Sequence, residues 1–353
     1  MTDCDGALAA RNAPNVWGAN SARSCLPQVV AGAQAVTDRV LTLGEPMPLK
    51  TTIQSLVRLA RPQHWIKNVI VLFPVVFALK VGDPTAWLRA GLAAVAFCLA
   101  SSTVYIVNDI RDREKDRLHP RKRNRPLASG EASVRQALIE AALLLPAALV
   151  LARIVSPLTL LIVVGYLVLQ AAYTFCLKAK MIVDVMCIAV GFVLRAAAGG
   201  VAIRVELSPW LFICAFTICL FMGFCKRRSE AAVIDDNELA AQHRLTLPKY
   251  TPPLLTHLTT LSAAIAIISY LLYASSPRTV EHFQTNYLIY TVPIVIYGIC
   301  RLEMLSALGI YSDPTDLILR DRPFQVTLAA WAAAVLAVIR WGKLFQDWLK
   351  NYY

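Results

Sequence analysis

The apolar residues of this chain fall into long runs separated by short polar breaks, without the regular alternation of half-buried strands or surface helices. A helix of about 17–25 mostly apolar residues crosses the hydrocarbon core of a bilayer. Nine runs answer to that description: Lys67–Lys80, Ala86–Val107, Gln136–Val155, Leu158–Leu177, Ile182–Ile203, Pro209–Cys225, Leu254–Ser275, Asn286–Leu302 and Pro323–Phe345. The first is short and carries Pro74, so it must borrow residues from before Trp65. Each is predicted to be a helix, because lipid offers a single apolar span no other way to pair its backbone; a barrel would show short alternating segments. The expected fold is all-α, a polytopic membrane bundle of about nine transmembrane helices over residues 57–353. Residues 1–56 are polar, with no span and no signal-peptide pattern, and read as a mobile cytoplasmic tail.

Composition agrees. The chain is 57% hydrophobic and 16% charged, whereas soluble domains are about one-quarter charged. Disorder and a small disulfide scaffold are excluded. Nine cysteines include no C-x-x-C pair, and seven lie in or beside spans, where a free thiol packs as a small apolar group. Lys and Arg number 35 against 23 Asp and Glu, a net charge of +12 that points to cytoplasmic loops and anionic ligands before nucleic acid. The excess is localised after the even-numbered spans: eight Lys/Arg within Arg111–Arg125, then Lys178 and Lys180, Lys226–Lys249 and Arg301–Arg322. The positive-inside rule places these loops and the N-terminus in the cytoplasm. Lys343 and Lys350, at an end that would then lie outside, run mildly against it.

The densest polar cluster is Asn108-Asp109-Ile110-Arg111-Asp112-Arg113-Glu114-Lys115-Asp116, where the second span leaves the membrane. On a continuing helix Asn108, Asp112 and Asp116 recur at i, i+4 and i+8. Their oxygens suit Mg²⁺, which shares ligands with substrate phosphates. A solvated, salt-bridged helix end is the plainer alternative. Arg121-Lys122-Arg123-Asn124-Arg125 follows as a cationic wall for phosphate. Tyr173, Lys178, Asp184 and Arg195 lie across spans four and five; the last two share a helix face and serve either a cavity or each other. Lys226-Arg227-Arg228-Ser229-Glu230 closes span six, and Asp313-Pro314-Thr315-Asp316 with Arg320-Asp321-Arg322 precedes the last span. All fall on the side the charge bias makes cytoplasmic, where a soluble phosphorylated substrate could meet a lipid one.

Asn108-Asp109-x-x-Asp112-x-x-x-Asp116 resembles the first aspartate-rich motif of the UbiA superfamily of intramembrane prenyltransferases, and Tyr173 with Lys178 resembles its Tyr/Lys pair. The superfamily's second aspartate-rich motif is missing; Lys226-Arg227-Arg228-Ser229-Glu230 stands in its place. With Arg61-Pro62-Gln63-His64-Trp65-Ile66-Lys67-Asn68, Gly191-Phe192-Val193-Leu194-Arg195 and Asp321-Arg322-Pro323, the chain from about Val57 onward is similar to the decaprenyl-phosphate phosphoribosyltransferase branch, including its nodulation-protein relatives.

That resemblance implies a glycosyltransferase of the bacterial inner membrane with its site facing the cytoplasm. It would be Mg²⁺-dependent, with phosphoribosyl diphosphate and a polyprenyl phosphate as substrates and a product feeding an arabinosyl donor. Asn108, Asp109, Asp112 and Asp116 would form the metal set, Asp112, Asp116 and Asp184 the catalytic set. Lys67, Arg125, Tyr173, Lys178, Arg195, Lys226, Arg227 and Arg228 would bind substrate. One acidic motif suffices if the diphosphate belongs to the sugar, and the cations after span six then suit a lipid phosphate. An aromatic prenyltransferase of the same fold and an anion transporter are the alternatives. The transporter would show matched, broken spans in two halves, but Pro74 and Pro293 do not match. A homo-oligomer is left open.

Overall fold

A computed structural model describes residues 49–118, 122–206, 208–233, 250–309 and 320–350. Residues 1–48 of the expected tail, His119 with Arg121, most of the basic loop up to Lys249, and Asp313 with Thr315 and Asp316 lie outside the described residues. From Gln54 onward the chain forms one compact unit. Its longer helices are α1 Leu49–Ala60, α2 Pro84–Leu118, α3 Val134–Val155, α4 Pro157–Phe175, α5 Val183–Ala202, α6 Pro209–Val233, α7 Pro252–Ser275, α8 Val292–Ala307 and α9 Arg322–Lys350.

Among the described residues eight segments are long and apolar enough to cross a membrane, those of α2 to α9. The first expected span differs. Pro62–Leu72 winds as a 3₁₀ helix and passes into a short α-helix, Phe73–Phe77. A 3₁₀ helix rises about 2.0 Å per residue against 1.5 Å for an α-helix, so this segment reaches about 30 Å where an α-helix of equal length would reach about 24 Å. The helical segment begins at Pro62, before Trp65, and is not among the eight candidate spans.

Local chemistry sets the helix starts. Ser156-Pro157, Ser208-Pro209, Thr251-Pro252 and Ser276-Pro277 each put proline where its missing N–H costs nothing. The side chains of Ser156 and Ser276 accept from the N–H of Thr159 and Thr279. Ser133 and Gln136 close a reciprocal capping box on α3. Small residues then bring helices together. Ala93, Ala96 and Ala100 of α2 pack with Ala148 and Ala152 of α3, Val163 and Tyr166 of α4, and Ala198 and Ala202 of α5. At Gly199 a Cβ would lie 2.0 Å from the Val71 carbonyl oxygen, so only glycine lets α5 seat the 3₁₀ segment. Phe221 and Cys225 of α6 pack on Ala263 and Ala266 of α7 and on Ile299, Leu302 and Leu305 of α8. Leu143, Leu161, Val168, Ile268 and Leu336 face outward, as lipid-facing residues do. The seven described cysteines are all free.

Candidate active site

The polar cluster rides on the end of α2, which continues unbroken to Leu118. Four residues along a helix advance the direction by about 40°, but seven return it to within about 20°. The stripe expected from Asn108 through Asp112 to Asp116 therefore divides, and Asp116 falls in with Asp109. Asp109, 2% exposed, accepts from Arg61 Nη2 at 2.6 Å on both carboxylate oxygens. Arg125 Nη1 bridges Asp109 at 3.1 Å and Asp116 at 2.6 Å. On the adjoining face Asp112 accepts from Lys178 Nζ at 3.1 and 3.3 Å. Arg111 clips this end of α2 to α4, donating to the Thr174 carbonyl with its guanidinium 4.7 Å above the Phe175 ring. That contact holds the end of α4, which carries Tyr173, against α2, and Lys178 just beyond it reaches Asp112.

Among the described residues no three His, Cys, Asp or Glu side chains form a closed metal cage. Mg²⁺ does not require one, since it commonly takes one or two protein oxygens and completes its shell with water and substrate phosphate. Asn108 and Asp112, one turn apart, fit that role. Asp109 and Asp116 are turned to arginines.

The triplet at the end of α6 also divides. Arg227, 1% exposed, is 3.3 Å from Asp184, itself fully buried, and pairs with Glu230. Tyr250 donates to Asp184 at 2.8 Å and accepts the Ile182 N–H at 2.7 Å, holding Ile182 at a positive φ of 68°. Burial pushes the Tyr250 hydroxyl above its ordinary pKa, which keeps it a donor. Arg228 donates to Thr259 of α7 at 3.2 Å. The charges of Lys226, Arg61, Lys67 and Arg125 all act on His64, so cations from three separate stretches of chain gather near it.

Arg195 sits deeper. It donates to Asn68 at 2.7 Å, the Gly191 carbonyl at 2.8 Å and the Tyr166 hydroxyl at 2.9 Å. The rings of Tyr166, Phe192 and Phe97 surround its guanidinium at 4.7, 5.3 and 5.8 Å. The option that Asp184 and Arg195 answer each other is corrected: they share a face, but eleven residues separate them by about 16 Å along the helix. Asp184 takes Arg227, and Arg195 braces Asn68, next to Lys67.

Sequence reasoning quoted Arg61, His64 and Asn68 only within a motif and gave none of them a role, and it did not single out Tyr250. Asp109 was the available signal for Arg61, since a buried carboxylate demands a cation. Nothing marked Tyr250, a single tyrosine after a long basic loop.

Residues 69–312 match the model of the UbiA prenyltransferase family. The chain is 33% identical over 305 residues to a decaprenyl-phosphate phosphoribosyltransferase of Mycolicibacterium smegmatis, covering 83% of this chain and 94% of that one. A Mycobacterium tuberculosis protein of the same name is 34% identical over 301 residues, covering 84% and 97%. In structure the chain is similar to a UbiA homolog from Archaeoglobus fulgidus bound to DMAPP and Mg²⁺, with a TM-score of 0.61 and 20% identity, covering 81% of this chain and 99% of that one. The fold, the α2 motif and these likenesses agree, and the chain is a multi-pass membrane protein belonging to the UbiA prenyltransferase family.

Proposed function

We propose that the protein transfers the 5-phosphoribosyl group of 5-phospho-α-D-ribose 1-diphosphate to a polyprenyl phosphate. The product is polyprenyl-phosphoryl-5-phosphoribose, and diphosphate leaves. Near full-length similarity to the mycobacterial phosphoribosyltransferases carries this reading. The divided polar cluster supports it, since it offers a metal-binding face and a cationic wall side by side. We place the reaction at the cytoplasmic face of a bacterial inner membrane, where the basic loops put this end of the bundle.

A bond forms between a lipid phosphate oxygen and ribose C1 while the bond from C1 to the diphosphate breaks. The lipid phosphate is already an anion, so the attack needs no strong general base. Asn108 and Asp112 would hold Mg²⁺, which when bound neutralises charge growing on the leaving diphosphate. Lys178, hydrogen-bonded to Asp112, adds a cation beside that charge. Tyr173 orients the sugar next to it. Asp109 and Asp116 keep Arg61 and Arg125 aimed at phosphate, so Asp116 acts through Arg125. Lys226, with Lys67, receives the lipid phosphate. Asp184 fixes Arg227 and through it the end of α6, and Arg195 fixes the Lys67–Asn68 segment. Arg228 anchors α6 to α7.

The test uses membranes carrying the protein, labelled phosphoribosyl diphosphate and polyprenyl phosphate. Label should enter the lipid fraction with Mg²⁺ and not with EDTA. Label absent from lipid with both substrates and Mg²⁺ present, but a prenyl group moved from a prenyl diphosphate to an aromatic acid, would replace this reading with the aromatic one.

A further inference from the structure

A cavity of about 580 Å³ lies at the end of the bundle opposite the candidate active site. α5 connects the two, with Asp184 near its first residue and Arg204 just past its last; its 20 residues rise about 30 Å, the thickness of the hydrocarbon core. Trp87, Trp210, Tyr287 and Tyr290 occur at this same end, the side chains that collect at the membrane–water interface. The cavity therefore sits at headgroup depth. Phe77, Leu211 and Phe283 give it an apolar wall.

Its basic side chains are not alike. Lys80 Nζ donates to the Ile203 carbonyl at 2.9 Å, Arg278 pairs with Glu206 at 2.8 Å, and a His282 ring nitrogen lies 3.2 Å from the Phe77 carbonyl. Arg204 is exposed, and among the described residues its guanidinium has no hydrogen bond or ion pair. Its backbone is left-handed, with φ 55°. A side-chain-bearing residue is disfavoured there, and such strain persists where a site uses it. Counting Lys80, Arg204 and Arg278 against Glu206 and Glu281, the lining carries one excess positive charge.

We propose that this cavity binds the phosphate headgroup of an anionic phospholipid from the leaflet opposite the active site. Arg204 donates to the phosphate, and the wall of Phe77, Leu211 and Phe283 takes the glycerol and the first acyl carbons. A cavity of this volume is ordinary for a ligand of that size. The site is separate from phosphoribosyl transfer and does not depend on it.

The experiment uses the full-length protein in nanodiscs of phosphatidylcholine, with or without phosphatidylglycerol. It reads the thermal inactivation midpoint and, by native mass spectrometry, the lipid retained. Phosphatidylglycerol should raise the midpoint of the parent protein, and inorganic phosphate should not. Arg204→Gly, which suits the left-handed backbone and should fold, should lose that rise and retain the lipid about tenfold less well. Its turnover in phosphatidylcholine should be unchanged. Arg204→Lys should keep most of the rise, and Lys226→Gln all of it. A full rise in Arg204→Gly would overturn the proposal. An equal rise with inorganic phosphate would replace the lipid by a soluble anion, and loss of the rise in Lys226→Gln would move the effect to the active site.

Discussion

Asp184 and Arg227 form the most deeply buried ion pair of the site, at 0% and 1% exposure. Removing one member of such a pair costs about 3–5 kcal/mol, because the other is left as an uncompensated buried charge. The two members are not equivalent here. In Arg227→Met the Asp184 carboxylate keeps the Tyr250 hydroxyl as a donor but loses the buried cation opposite it, so the full cost applies. In Asp184→Asn the new amide oxygen still accepts from Tyr250 and Arg227 keeps Glu230, so about 1–3 kcal/mol is expected. The double variant buries no charge on this pair, and should recover about 2–3 kcal/mol against the sum of the single losses. A membrane protein of this size unfolds irreversibly, so the assay is the half-life of the folded protein in detergent at one fixed temperature. At about 1.4 kcal/mol per tenfold, Arg227→Met should shorten that half-life by roughly 10²-fold or more if the loss falls on the unfolding barrier. Turnover then separates two roles for Asp184. If it only seats Arg227, activity returns with stability in the double variant; if it touches substrate, activity stays lost. Strict additivity of the two single effects would refute the ion-pair reasoning itself.

Asp112→Asn should abolish transfer while leaving folded yield near normal, a loss of several kcal/mol in the barrier. Asp109→Asn should chiefly lower folded yield, because it strands Arg61 and leaves Arg125 only Asp116; the same activity and yield assays in parallel distinguish the two. Lys226→Gln should raise the KM for polyprenyl phosphate by roughly tenfold, the worth of one charge-assisted contact, and leave the phosphoribosyl diphosphate KM alone. Arg228→Gln, at a residue that donates to Thr259, should change both KM values by much less. Single cysteines placed in segments 109–131 and 226–251 should be labelled from the cytoplasmic side alone; labelling of the two from opposite faces would break the single-mouth arrangement.

The membrane spans were legible because apolar runs of this length leave the backbone one choice. The helix starts also have a local signal, Ser-Pro and Thr-Pro pairs, which a reading from apolar runs alone does not use. The 3₁₀ winding of Pro62–Leu72 was not legible, since it is met by a partner: Gly199 lets the segment seat against α5 at Val71. A requirement imposed by a partner helix leaves no periodic trace in the segment that meets it. Tyr250 is the same case, its role defined by Asp184 and Ile182, more than sixty residues upstream.

The division of the α2 cluster lies between these extremes, and it bears on how acidic motifs on membrane helices are read. Spacing of four suggests one stripe, yet 3.6 residues per turn makes the seven-residue relation of Asp109 to Asp116 the tighter alignment. Charge then decides which alignment the protein uses. Two carboxylates at the bilayer boundary are costly unless paired, and Arg61 and Arg125 pair them. Asp112 is turned to Lys178, with Asn108 one turn before it on the helix. On the proposed reading the motif is two devices on one helix, one holding arginines for phosphate and one presenting oxygens for a cation. A chain with this first motif and no second acidic one would then manage a single diphosphate, with Lys226 proposed to receive the other phosphate.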